Sequence, residues 1–383
     1  MKKLAAILAA ICLAAFAPAL AAGEAAAEDR ALQLGASSIC FPAVVGMEDA
    51  ALEPAVNAQI RQDLQVDRYL ERMNALISDG QRSITVSWSG GVAGDVFSAL
   101  LDAEGLINPP RNSHAWTWSN VDLRDGHEIA FAELFTEEEA AREALEALLE
   151  EAAAEGSAHL ENSGWTPLPE GFVIDSTGLT LLYDVKQLST LSGRAGAVKI
   201  GWNEIREVAD WSADGIPARA GAAEMVTLTE ESPGRIREMT ESGQLPGIPV
   251  KVGDSVKEWT DRTHLLNDPD EYAGGRMFAP EGACFRNVYL LSDAVGSGWE
   301  DSRVQGIRMD RGCAWGLCVG ETTAAEWHLL LGEPDETAAF DGEAAENWRT
   351  VPGTCDYYQY GENRLQLHYN EDGVLTSLAV SGR

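Results

Sequence analysis

The side chains able to do chemistry are scattered along this sequence. Its six histidines, His114, His127, His159, His264, His328 and His368, form no His-x-x-x-His pair of the kind that sets two imidazoles on one helix face for a metal. Ser87-Trp88-Ser89-Gly90-Gly91 lacks the Gly-x-Ser-x-Gly form of a nucleophile elbow, and its glycines read as the turn between two strands. Paired carboxylates can cleave a glycoside, but 61 acids make chance pairs abundant and none stands out. Asn370-Glu371-Asp372-Gly373 reads as a hairpin turn, because the alternating aspartates of a calcium loop are absent. No catalytic residue, metal site or cofactor is assigned from the sequence.

The cysteines are more informative. Cys40, Cys284, Cys313, Cys318 and Cys355 follow the N-terminal segment, without the Cys-x-x-Cys pair or neighbouring His of a zinc site. Outside the cytoplasm disulfides are expected, and the last four allow three pairings. Cys313 and Cys318 could close a local hairpin, leaving Cys284 and Cys355 to join equivalent places in two repeats; Cys40 reads as buried in a strand. Of the 11 tryptophans, Trp88, Trp116 and Trp118 fall at alternate strand positions and read as buried. Trp315, in the turn between two cysteines, is the candidate binding aromatic, with core or turn packing as its competing role.

Met1-Lys2-Lys3, an apolar run from Leu4 to Ala17 and Ala19-Leu20-Ala21-Ala22 read as a secretory signal peptide over 1–22, cleaved after Ala21 or Ala22. A lipoprotein anchor on Cys12 fits less well, since Ile11 stands where such signals carry a small residue. No later apolar run reaches membrane-spanning length. With 28 basic against 61 acidic residues the formal charge is −33, which repels nucleic acid and anionic membranes. It attracts a basic protein or a cation, or simply keeps a secreted chain soluble. At 383 residues two domains are the natural expectation.

The elements follow from periodicity. Ile39 to Val45 reads as a strand and Pro54 to Ile77 as one amphipathic helix, in a folded region that starts near Leu32. Ile84-x-Val86-x-Trp88 alternates as a strand, Gly90-Gly91 turns it into Val92 to Leu101, and Trp116 and Trp118 mark the next strand. An acidic helix opens at Thr136 and Glu139. Phe172 to Asp175, Leu179 to Asp184 and Ala197 to Gly201 form a sheet core, with Gly178 supplying the positive φ of a tight hairpin. From 211 to 248 the patterning weakens into a linker or transition, with a short helix from Pro233 to Glu241.

Several of these motifs occur together in a known arrangement. Asn57-x-x-Ile60, His114-Ala115, Asn120-x-Asp122-Leu123-x-Asp125-Gly126-x-x-Ile129, Glu133-Leu134-Phe135, Gly178-Leu179-x-Leu181 and Val198-x-Ile200-x-Trp202-x-Glu204-Ile205 recur in one extracytoplasmic domain. Over about 35–207 the chain resembles that domain, found in RsiV-type anti-sigma factors and in the N-terminal region of PdaC-type peptidoglycan deacetylases. The resemblance implies an α+β fold over 32–210, an antiparallel sheet with packed helices, and a binding role; the partner recognised by the RsiV-type domain is lysozyme, a basic protein. The sigma-binding segment and membrane helix of the first group, and the Asp/His cluster of the second, have no counterpart here.

Beyond 249 the sequence repeats itself. Val252-Gly253-Asp254 recurs as Val319-Gly320-Glu321, Trp259 as Trp327, Pro269-Asp270-Glu271 as Pro334-Asp335-Glu336, and Cys284 to Tyr289 as Cys355 to Tyr360. Two α+β units are expected, about 249–311 and 317–383, with Leu365 to Tyr369 and Val374 to Val380 as strands. They resemble the small repeats of SmpA/BamE-like and β-lactamase-inhibitor-protein-like proteins, which implies surface binding on a concave sheet face. The reading that emerges is a secreted bacterial non-enzymatic binding protein of the envelope or exterior, recognising a basic protein such as a lysozyme-like enzyme. A peptidoglycan-binding module and a hydrolase are the alternatives.

Overall fold

The computed structural model describes residues 25–382 except 78–81, 108–112, 155–158, 161–167, 184–187, 190–195, 249, 258, 260–269, 280–286 and 295–298. The segment 1–22 expected to be a signal peptide and Cys284 lie outside the described residues. The fold is α+β and built largely of antiparallel sheets, as the resemblance implies.

β1 (Ala26–Leu34) and β2 (Ser37–Val45) form an opening hairpin that begins earlier than Leu32. Helices α1 (Glu53–Asp63) and α2 (Val66–Leu76) then cross to β3 (Ile84–Ala93), so that β2 and β3 pair in parallel. The single helix expected from Pro54 to Ile77 is broken because Gln65 takes a left-handed φ of 53°, and the break buries both Leu64 and Val66 completely. β4 (Val96–Gly105) and β5 (Ser113–Asp122) complete a five-stranded sheet in sequence order. Gly90-Gly91 lies inside β3 and does not turn it; the turn is at Gly94-Asp95. Gly90 is needed because a Cβ there would come within 2.2 Å of the Ser98 carbonyl oxygen.

After α3 (Glu138–Ala154) comes a second layer, in which β7 (Gly171–Asp175), β8 (Gly178–Tyr183) and β10 (Gly196–Gly201) form a three-stranded sheet; β6 (His159–Leu160) pairs with β9 (Leu188–Ser189). The expected hairpin is present, but its Gly178 does not adopt positive φ. It is required by close approach, since a Cβ would sit 2.3 Å from the Ile200 carbonyl oxygen. Val173 and Leu182 bury themselves against Leu100, with half-buried Trp116 and Trp118 alongside. Asn120 ties the two layers by accepting from Ser98 Oγ at 2.6 Å and donating to the Phe172 carbonyl at 2.9 Å.

The stretch 211–248 carries α4 (Ile216–Arg219), α5 (Ala222–Val226) and α6 (Ser232–Glu241). It is packed on both sides. Ile216 and Ala222 belong to the core of the preceding layer, Met225 and Ile236 to the core that follows. A bidentate Arg311–Glu204 ion pair, at 2.6 and 3.0 Å, fastens the same junction.

The two repeats share one sheet. Unit one supplies β11 (Asp270–Tyr272), β12 (Gly275–Phe278), β13 (Val288–Ser292) and β14 (Gly306–Met309). The short ribbon β15 (Cys313–Ala314) and β16 (Leu317–Cys318) then leads to α7 (Ala324–Leu331). Unit two continues with β17 (Glu336–Phe340), α8 (Gly342–Asn347), β18 (Gly353–Tyr360), β19 (Asn363–Asn370) and β20 (Leu375–Gly382). The strand order is β11-β12-β13-β14-β20-β19-β18-β17, every pair antiparallel, so the last strand of each unit meets the last strand of the other. Gly253 and Gly320, equivalent in the repeat, both take positive φ, at 96° and 85°. Trp259 and Trp327, also equivalent, are both buried under the same face.

Candidate functional site

Strand alternation gives the eight-stranded sheet two unlike faces. Ile307, Leu365, Leu367, Leu378 and Val380 point to the helix-covered core. Their neighbours Arg308, Arg364, Gln366, His368, Ser377 and Ser381 line a cavity of about 170 Å³ on the other face. This face is roofed in part. The connection through α8 crosses it from the β17 edge and bonds to the β11–β12 turn, where Ala273 N–H donates to the Asn347 carbonyl at 2.8 Å and Arg349 Nε to the Glu271 carbonyl at 3.2 Å. Trp348 lies in this strap with its ring edge-on to Tyr272 and to Phe340, at centroid distances of 5.6 and 6.4 Å. Arg349 holds the left-handed φ of 52° that bends the strap back to β18.

The floor also holds the strap. His368 Nε2 bonds to the Val351 carbonyl at 2.8 Å, and Arg308 donates to the Trp348 carbonyl at 3.3 Å. Burial lowers the pKa of His368 below the ordinary imidazole value, the Arg308 charge acts in the same direction, and the Val351 carbonyl opposes both. The imidazole is thus neutral at neutral pH and Nε2 carries the proton donated to Val351.

The two arginines of the cavity differ in what they hold. Arg308 is committed to Asp310 through a bidentate pair at 2.6 and 2.8 Å. Arg364 lies over the Tyr357 ring at 4.6 Å and reaches Ser381 Oγ at 3.4 Å, and no carboxylate among the described residues forms an ion pair with it. In a chain with 61 acids, no Asp or Glu among the described residues lines the cavity. The adjacent acid Asp356 faces the other side of β18, where His328 Nε2 at 2.7 Å and Thr337 Oγ1 at 2.6 Å engage it. Such a lining offers a cation, neutral hydrogen-bonding groups and aromatic walls, the equipment of a binding pocket.

The residues singled out in the sequence lie elsewhere or play other parts. Trp315 is not an exposed anchor: it is 1% exposed and packed between α5 and α6, with its indole Nε1 3.4 Å from Met239 Sδ. Cys313 and Cys318 form the expected disulfide across the β15–β16 ribbon. Cys355 is a free, buried thiol at the cavity wall, its pKa pushed up to about 12 chiefly by burial; Cys284, the partner expected for it, lies outside the described residues. Cys40 sits half-buried on β2.

One cluster in the first domain has ligand-like spacing. Asp122, Asp125 and His127 bring their ligand atoms within 4.8 Å of one another. Their charges are already met by protein groups. Asp122, fully buried, is engaged by Arg219 and by Arg124; burial alone would raise its pKa, but these donors hold it below the usual carboxylate range. His127 lies between Asp125 at 2.7 Å and Glu133 at 3.1 Å, chiefly the first of which raises its pKa. Asn57, of the same family motif, exchanges two 2.8 Å bonds with the Val44 backbone. These motif residues are joints of the fold.

No helix among the described residues is long and apolar enough to cross a membrane. No protein-family model and no curated protein matches the chain. Among solved structures, a DUF3298-family protein of Bacteroides fragilis is 14% identical with a TM-score of 0.37, over 51% of this chain and 96% of that one. A DUF3298-family protein of Pseudomonas aeruginosa is 15% identical with a TM-score of 0.32, over 49% and 94% respectively. A DUF4309-family protein of Bacillus subtilis is 11% identical with a TM-score of 0.27, over 40% and 98%. The chain is thus similar, at low identity, to members of the DUF3298 and DUF4309 families.

Proposed function

We propose that this chain is a secreted, non-catalytic binding protein of the bacterial envelope or exterior. Its tandem-repeat domain receives part of a glycan ligand in the strapped cavity. The observation that carries this reading is the lining itself, with Arg364, Gln366 and Ser377 beneath aromatic walls and no acid among the described lining residues. A hydrolase acting on glycan needs acids that converge on the scissile bond. Aromatic faces and neutral hydrogen-bonding groups suit a sugar ring held without cleavage.

The resemblance of the first domain to the RsiV- and PdaC-type domain supports an extracytoplasmic setting, as does the Cys313–Cys318 disulfide. A second reading, a basic protein partner of the lysozyme kind, is favoured by the formal charge of −33 over the whole chain. Two assays separate the readings. The chain is co-sedimented with purified peptidoglycan, and its binding to lysozyme is measured at low and near-physiological salt beside an unrelated basic protein. We expect co-sedimentation that survives salt. Saturable, salt-resistant and selective lysozyme binding without co-sedimentation would move the basic-protein reading to first place, and failure of both would end the proposal.

A further inference from the structure

Resting on the binding reading above, the cavity also specifies its ligand's charge. We infer that it selects an anion carried on a single ring, a carboxylate or phosphate paired with Arg364 while the ring stacks on the aromatic strap. Three observations converge. Arg364 presents a guanidinium that is stacked on Tyr357 and bonded to Ser381, yet free of any ion pair among the described residues. A planar fork of this kind recognises carboxylate and phosphate oxygens through two parallel bonds.

The second observation is the field around it. Acids outnumber bases by 61 to 28 over the chain, yet none of the described acids lines this cavity, while Arg308, already neutralised by Asp310, stands across the floor. A cation that makes no ion pair with the described carboxylates of so acidic a protein is available to an anion from outside. The third is size. At about 170 Å³ the cavity lies below the 300–1,000 Å³ typical of drug-sized ligands, so it takes one ring or one unit of a longer chain. Trp348, partly exposed at 42%, supplies the face on which that ring rests.

The test uses the whole chain and four small probes, glucose, glucuronate, glucose 6-phosphate and benzoate, followed by calorimetry and tryptophan fluorescence up to millimolar concentration. Glucuronate or glucose 6-phosphate is expected to bind and glucose to fail; which of the two is tighter tells carboxylate from phosphate, and benzoate shows whether a flat aromatic ring serves as well as a sugar. Arg364→Gln is expected to weaken binding by about ten- to a hundredfold, the loss of one charge-assisted contact, and Ser381→Ala by less. Unfolding midpoints of both variants confirm that they fold, and Arg364→Lys, which keeps the charge but loses the planar fork and is also expected to weaken binding, serves as the second variant should Arg364→Gln fail to fold. Equal affinity for glucose and glucuronate, or binding indifferent to Arg364→Gln, overturns the inference. If the chain sediments with peptidoglycan yet binds no anionic probe, the inference fails and the binding reading stands.

Discussion

Tyr272, on the edge strand β11, and Trp348, beside the opposite edge strand β17, meet edge to face with their centroids 5.6 Å apart. Eight strands laid flat would hold these edges roughly 34 Å apart at about 4.8 Å per strand, so the contact depends on a curled sheet and on the strap that closes it.

Trp348→Ala removes the ring contacts to Tyr272 and Phe340, each worth about 0.5–1.5 kcal/mol beyond burial. We expect a loss of about 1–3 kcal/mol in urea unfolding. Amide exchange at Ala273, whose N–H bonds to Asn347, should accelerate while exchange in β4 stays unchanged.

Stability should fall on mild acidification through His368. Its folded pKa lies below the ordinary value of about 6.5, so over the interval between the two the unfolded chain binds the extra proton. The stability it contributes is full above that ordinary value and is lost as pH drops toward the folded one. His368→Gln should flatten the dependence of unfolding free energy on pH from 7 to 5, by up to one proton's worth of slope.

The Arg219–Asp122 pair is buried on both sides, at 5% and 0% side-chain exposure. Asp122→Ala strands a buried guanidinium and should cost about 3–5 kcal/mol. A double variant with apolar residues of similar volume at both positions should recover much of that loss. Denaturant midpoints for the two variants check this.

Trp315→Ala should cost about 3–5 kcal/mol and lower the unfolding midpoint without any separate effect on ligand affinity, because the ring fills the core beneath α6. Replacing Cys313 and Cys318 by serine should cost about 2 kcal/mol, the chain-entropy value for a short loop. In peptide maps of unreduced protein the two should appear joined, with Cys355 alkylated only after unfolding.

Local signals in the sequence were sufficient where a single turn or strand was at stake. Asp175 to Gly178 and Asn370 to Gly373 turn where their composition places them, and the Val-Gly-acid repeat foretells two units. Long-range demands were not legible. Gln65 breaks a helix whose periodicity continues through it, and Gly90 sits mid-strand to admit the Ser98 backbone. The cavity was hidden for a related reason. Arg308 is on β14, Arg364 and His368 are on β19 and Trp348 is in the strap, and each looks ordinary until strand pairing and the strap bring them together. Trp315 misled because a turn between cysteines suggests exposure, whereas α5 and α6 cover it.

The seam between β14 and β20 has a consequence for how the cavity came to be lopsided. Two copies of one unit, meeting antiparallel through their final strands, would make a twofold dimer in which every contact occurs twice. Such a dimer offers any ligand two identical poses. Joined in one polypeptide, the halves are released from identity, and Arg308 on β14 now faces Ala379 across the seam. A single guest can then be held one way round.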